Sequence, residues 1–259
     1  MGRLVHPHRR IFSSNEAGER VSLFVTFEGP EGSGKTTQIR LLADALRARG
    51  LDVLTTREPG GTRIGNAIRA LLLDSAHTEM DPRAEALLFN AARAQIVGEV
   101  IRPALAAGRV VVCDRYADST LAYQGYGHGQ SIDALRRLGE FATGGLTPDL
   151  TVYLDIDVET GLRRKQSQDA DAEWNRMEEQ TLAFHQDVRA GYLRLAGAEP
   201  DRWAVVDASQ APETVHTLIA ARVLALPALQ QAQIRYVDIK RGEQTKGPNH
   251  ENGHGNHQQ

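Results

Sequence analysis

Between the apolar run Val21-Ser22-Leu23-Phe24-Val25-Thr26-Phe27 and the helix-forming stretch from Gln38 to Arg49, the chain reads GPEGSGKTT. This is G-x-x-x-x-G-K-[ST] in the strand, turn, helix setting that gives the pattern its meaning. Gly29, Pro30, Glu31, Gly32, Ser33, Gly34, Lys35, Thr36 and Thr37 are read together as one phosphate-binding loop. Its glycines let backbone N–H groups turn inward around phosphate oxygens, and Lys35 adds a point charge at the terminal phosphates. Thr36 offers a hydroxyl to Mg²⁺, and the start of the helix adds the positive end of its dipole. A nucleoside triphosphate, ATP, is therefore the expected ligand. What receives the γ-phosphate is the question left for the rest of the chain.

Such a loop belongs on a parallel sheet, and the remaining sequence has the matching rhythm. Strand candidates at 21–27, 51–56, 109–114, 149–155 and 203–207 are short and rich in Val, Leu or Ile. They are apolar on both faces, as strands covered by helices must be. Helix candidates alternate with them at 35–49, 63–73, 82–107, 131–143, 158–167, 176–197 and 212–224. The expected fold is α/β: a three-layer, doubly wound, five-stranded parallel sheet flanked by helices. Its ligand should lie at the carboxyl ends of the strands. One catalytic domain covers 21–226, with unstructured extensions at 1–20 and 227–259. The tail histidines His250, His254 and His257 read as part of a solvated segment.

Composition narrows the partners. A net charge of −3 exerts no general pull on nucleic acid or anionic membranes. No apolar run approaches the ~20 residues needed to span a bilayer, and the basic start lacks the apolar core of a secretory signal. The single cysteine, Cys113, excludes an internal disulfide framework. It reads as a buried strand thiol in a reducing compartment. The expected location is the cytoplasm.

After the third strand candidate comes Asp114-Arg115-Tyr116-Ala117-Asp118-Ser119-Thr120-Leu121-Ala122-Tyr123-Gln124-Gly125. A strand-end Asp can hold Mg²⁺ opposite the loop hydroxyl, so Thr36 and Asp114 form the metal pair. The adjacent Arg115 is a planar, permanently charged fork suited to bridging two phosphoryl groups. Phe89 and Arg93, four residues apart, share a helix face, where a ring beside a guanidinium suits a nucleobase.

Six blocks in order, FEGPEGSGKTT (27–37), TREPGGT (56–62), LLFNAARAQ (87–95), DRYADSTLAYQG (114–125), PDLTVYLDI (148–156) and FHQDVRAGYLRLA (184–196), resemble the thymidylate kinase family. The resemblance implies ATP-dependent phosphorylation of dTMP to dTDP with Mg²⁺. It implies that Phe89 stacks on thymine while Arg93 donates to a carbonyl edge. Arg69 and Arg115 would grip the acceptor phosphate, and Glu31 would approach the sugar 3′-hydroxyl. Tyr123 and Thr120 lie where the family excludes a 2′-hydroxyl and reads the base, with Gln124 close by; Arg57 falls on the substrate side. A symmetric homodimer through the 82–107 helix is implied as well.

Catalysis by this plan needs no base, because the acceptor oxygen is already nucleophilic and the protein supplies position and positive charge. Lys35 and Arg115 provide part of that charge. Since Ser33 and not a basic residue precedes Gly34, the resemblance implies that a lid, residues 161–178, brings the last cation. Arg164 is the candidate, with Arg163 and Lys165 as alternatives. The stretch departs from relatives with a basic lid by carrying Gln166 and Gln168, and by placing Asn175 where an Asp–Arg pair is usual. The alternatives are a kinase for another nucleoside monophosphate and an NTP-hydrolysing switch. A guanine-reading N-K-x-D sequence, which such a switch can carry, is absent.

Overall fold

Five segments rich in β-branched and aliphatic residues line up in parallel. They are Leu23–Glu28 (β1), Val53–Arg57 (β2), Val110–Asp114 (β3), Leu150–Asp155 (β4) and Trp203–Asp207 (β5). They form one sheet in the order β2-β3-β1-β4-β5 in the computed structural model, which describes residues 21–168 and 175–231. The three central strands expose no residue, whereas the edge strands β2 and β5 alternate with solvent. That difference is what helical cover on both faces produces.

Helices Lys35–Ala48 (α1) and Pro212–Leu224 (α9) cover one face, burying Leu42, Leu46, Ile219 and Val223 against Val25, Val112 and Val152. The other face carries Arg63–Leu73 (α2), Pro82–Ile96 (α3) and Arg102–Ala106 (α4). With them come Ala117–Thr120 (α5), Ile132–Thr143 (α6), Val158–Gln168 (α7) and Leu182–Ala198 (α8). Phe24, Val111 and Cys113 pack there against Ile96 and Ile101, and Tyr153 and Trp203 against Val188 and Tyr192. Each fully buried side chain of this size contributes about 1.5–3 kcal/mol.

The structure modifies three of the sequence expectations and adds one element. The helix expected over 82–107 is broken by a π-helical turn at Val97–Ile101. That turn lies just ahead of Pro103, whose ring lacks a donor and displaces the carbonyl four residues back. The helix expected over 176–197 starts only at Leu182, where the Thr181 hydroxyl accepts from Phe184 N. Before it, Asn175 Oδ1 accepts from the backbone N–H groups of Met177 and Glu178 at 3.0 and 3.2 Å. The segment after Arg115 is itself helical, as α5 followed by a π-helical stretch Leu121–Gly127. Finally, residues 227–231 are helical and Leu229 is buried in the core, so the domain runs past 226. The expected extension at 1–20, the tail from 232 with its histidines, and lid residues 169–174 lie outside the described residues.

Candidate active site

The parallel register aligns the strand ends that matter. Phe27 of β1 pairs with Asp114 of β3, and Asp114 with Arg57 of β2, so the phosphate loop, Asp114 and Arg57 emerge at one edge. A cavity of about 410 Å³ opens there, lined by the loop and by residues from β2, α2, α3, α5 and the lid flanks.

The loop's backbone is shaped for an anion. Gly34 caps α1 in the left-handed region (φ 87°) and no side chain caps the helix, leaving its first N–H groups to a ligand. Lys35 folds back over the loop, its Nζ donating to Gly29 O at 3.0 Å and Pro30 O at 2.9 Å. Burial, with Arg115 adding to it, holds this ammonium below its usual range. Thr36 and Thr37 are exposed and line the cavity. Asp114 lines it too, and its buried Oδ1 has no hydrogen-bond partner. A hydroxyl and an unpartnered carboxylate oxygen lining one cavity are a fitting donor set for Mg²⁺. Among the described residues no group of three or more His, Cys, Asp or Glu could hold a metal. The ion's remaining ligands would be phosphate oxygens and water.

Arg115 is the one non-glycine described residue with positive φ, at 65°. The turn is fixed on both sides: Arg115 N donates to Phe27 O, and Tyr116 N to Glu28 Oε1, each at 2.8 Å. This aims the guanidinium back at the phosphate loop, where Nη2 meets Glu31 Oε1 at 2.5 Å and Nη1 reaches Tyr192 Oη at 3.3 Å. It also lies 5.0 Å from the centre of the Tyr123 ring. Burial alone would raise the Glu31 carboxyl, but the charges of Arg115, Lys35 and Lys165 outweigh it and hold it at about 2.

Glu28 is a site residue that no motif singles out. It is fully buried and accepts from Tyr116 N, Ser119 Oγ at 2.6 Å and Tyr192 Oη at 2.6 Å. Burial pushes its carboxyl up, against the pull of Arg115. The available signal was an acid closing an otherwise apolar strand.

Of the residues expected on the acceptor side, Phe89, Thr120, Tyr123, Gln124, Arg57 and Arg69 all line the same cavity. Arg69 Nη1 donates to Pro59 O at 3.0 Å. Arg93 does not line it. At 2% exposure it sits behind the wall, donating to Glu58 Oε2 (2.7 Å), Asn90 Oδ1 (3.2 Å), Thr120 Oγ1 (3.0 Å) and Tyr116 O (3.0 Å). It fixes Thr120 and Glu58 from behind. Burial raises the Glu58 carboxyl to about 7, although Arg93 opposes the shift.

With this geometry in view, the thymidylate kinase family model matches residues 27–219. The chain belongs to the thymidylate kinase family. It is 56% identical over 213 residues to a thymidylate kinase of Roseiflexus castenholzii, spanning 78% of this chain and 93% of that protein. It is 51% identical over 210 residues to one from Herpetosiphon aurantiacus, spanning 73% and 89% respectively. The crystal structure of thymidylate kinase from Ehrlichia chaffeensis superposes with a TM-score of 0.63 at 32% identity. That match covers 78% of this chain and 99% of that one.

Within this family member the lid flanks are the least expected part. Arg164 is not at the cavity; its Nη1 donates to Ala208 O at 2.8 Å and its Nη2 to Ser209 O at 3.2 Å, tying α7 to the loop after β5. Arg163 is exposed, with Glu159 3.7 Å away. Lys165 does line the cavity and pairs with Glu178 at 2.9 Å. Arg176 turns away to Leu72 O (3.0 Å) and Glu85 Oε2 (2.5 Å). The lid helix also rests on the phosphate loop itself. A Cβ on Gly32, already left-handed at φ 70°, would overlap the Gly161 carbonyl, and one on Gly161 would lie 2.5 Å from Glu31 O. No helix among the described residues is long and apolar enough to cross a membrane.

Proposed function

We propose that this chain transfers the γ-phosphoryl group of ATP to the phosphate of dTMP, giving ADP and dTDP. The observation that carries the reading is a single cavity lined both by Lys35 and Thr36 of the phosphate loop and by Phe89, Thr120 and Tyr123, with Arg115 touching Glu31 of the loop and the Tyr123 ring. In that arrangement the loop N–H groups and Lys35 hold the triphosphate, while Arg69 and Arg115 clamp the acceptor phosphate. Phe89 offers its ring to the base, and Tyr123 closes the sugar side beside Glu31, its Oη 3.5 Å from the carboxylate. An acceptor phosphate oxygen attacks the γ-phosphorus as the bond to the ADP oxygen breaks, and no protein base takes part. The chain's work is alignment and charge neutralisation. Thr36 and Asp114 would hold Mg²⁺, which when bound neutralises the bridging phosphates. We assign the lid cation to Lys165, on the strength of its place in the cavity wall, in preference to Arg164. We place the reaction in the cytoplasm, on the strength of a single, buried thiol.

An acceptor screen with ATP and Mg²⁺ tests this. The expected result is turnover with dTMP, and with dUMP a kcat/KM roughly 10–200-fold lower, the cost of one missing methyl in an apolar pocket. A better rate with dGMP or dCMP, or release of free phosphate alone, would overturn the assignment.

The same reading includes a symmetric homodimer. α2 packs on α3 and α3 on α6, and this helical layer presents Ile64, Leu71, Leu87 and Phe141 to solvent, the last 88% exposed. Apolar groups at neighbouring positions suit an isologous two-fold contact. Sedimentation should show a dimer at micromolar concentration, and Phe141→Asp should shift it toward monomer. A monomeric wild-type protein would end this part of the proposal.

A further inference from the structure

Glu85 lies on α3 one turn before Phe89, 1% exposed, and no step of the reaction uses it. Both its oxygens are engaged. Oε1 accepts from Gln124 Nε2 at 2.7 Å, with His128 Nε2 3.5 Å away, and Oε2 pairs with Arg176 Nη2 at 2.5 Å. An ionised carboxylate only accepts hydrogen bonds, so the Gln124 amide must turn its nitrogen toward it. Gln124 is itself 1% exposed and lines the cavity beside Thr120 and Tyr123. With one of its N–H groups held by Glu85 the amide is fixed in this orientation, and the carbonyl oxygen is the arm left for a bound base. An acceptor at that wall matches a ring N–H. Thymine and uracil carry one at N3, where cytosine has a lone pair.

We propose that Glu85 is a positioning residue for acceptor specificity: by holding the Gln124 amide nitrogen, it presents the amide oxygen to the ring N–H of a thymine-type base. It thereby withholds the donor that cytosine would require. The inference rests on the dTMP reading above. Burial would raise the Glu85 carboxyl, but the contacts from Gln124 and Arg176, with the His128 ring nearby, outweigh it and hold the carboxyl below its usual range. An ionised partner holds the amide in one orientation; a neutral amide in its place would accept either.

The test is the ratio of kcat/KM for dTMP over dCMP. Glu85→Gln should raise KM for dTMP about 10-fold with kcat little changed, and lower the ratio by at least about 10-fold, since binding and not chemistry is lost. In a Gln124→Met background the same change should lower the ratio no further, because Glu85 acts through that amide. Glu85→Asp keeps a charge for Arg176 but draws the carboxylate back by one methylene, and should move the ratio the same way. An unchanged ratio in either folded variant overturns the proposal. So does a fall that multiplies with Gln124→Met, or equal losses on both acceptors with a lowered melting temperature. If neither variant folds, Glu85 is structural and the proposal falls. Failure of the wild type to prefer dTMP would sink the functional reading and this inference with it; an unmoved ratio in an active dTMP kinase sinks the inference alone.

Discussion

Lys35→Ala is expected to lower kcat by at least about 10²–10³-fold, the range for loss of one preorganised transition-state contact, while the chain stays folded. The Lys35 ammonium spans the carbonyls of Gly29 and Pro30, so the loop's own backbone holds it in place. Removing it forfeits those two bonds, about 1–2 kcal/mol. It also removes a charge that burial disfavours. The two effects oppose each other, and the melting temperature should shift by no more than about 4 °C. Steady-state kinetics beside thermal melting checks both statements. Near-normal kcat would overturn the phosphate-loop assignment.

Arg115 should prove comparably important and can be dissected further. Arg115→Ala and Arg115→Gly both remove the fork between donor and acceptor phosphates, and each should lower kcat by about 10²–10³-fold. They differ in the backbone. Alanine keeps the left-handed strain at φ 65°, whereas glycine adopts it without cost. The glycine variant should therefore be more stable than the alanine variant by about 1 kcal/mol, a few degrees in melting. A loss of less than tenfold in kcat would remove Arg115 from the reaction. Acid sensitivity offers a second readout. Glu31 is held at about 2 against an ordinary 4.5, so its contribution to stability is present above 4.5 and is lost as pH falls toward 2. Without Arg115, the burial that raises Glu31 meets less opposition, so its contribution to stability should be smaller and its loss complete at a higher pH.

The five strands lie within two residues of where apolar patterning puts them, because central strands of a covered sheet must be apolar on both faces. The phosphate loop was legible for a similar reason: few backbones other than this one need glycines at 29, 32 and 34. The helix over 117–127 was not, since Gly125 and Gly127 interrupt any 3.6-residue apolar period. Arg93 and Arg164 mark another limit. A sequence shows that a guanidinium is present but not which carbonyls and carboxylates consume its donors. For Arg93 these are Glu58, Asn90, Thr120 and Tyr116; for Arg164, the chain at 208–209. Asn175 reads as a departure from a pattern until its side chain is seen closing the turn at Met177 and Glu178.

The backbone contact between Gly32 and Gly161 bears on how such a chain can vary over descent. A side chain on Gly32 would need the space of the Gly161 carbonyl, and one on Gly161 the space of the Glu31 carbonyl beside Gly32, so neither glycine can be exchanged without lifting α7 off the phosphate loop. Ordinary drift, one residue at a time, is closed to both positions. A lineage that altered one would inherit an α7 seated at a different height above the phosphate loop. Positions 32 and 161, 129 residues apart in the chain, are thus held to glycine by one and the same seam between α7 and the phosphate loop.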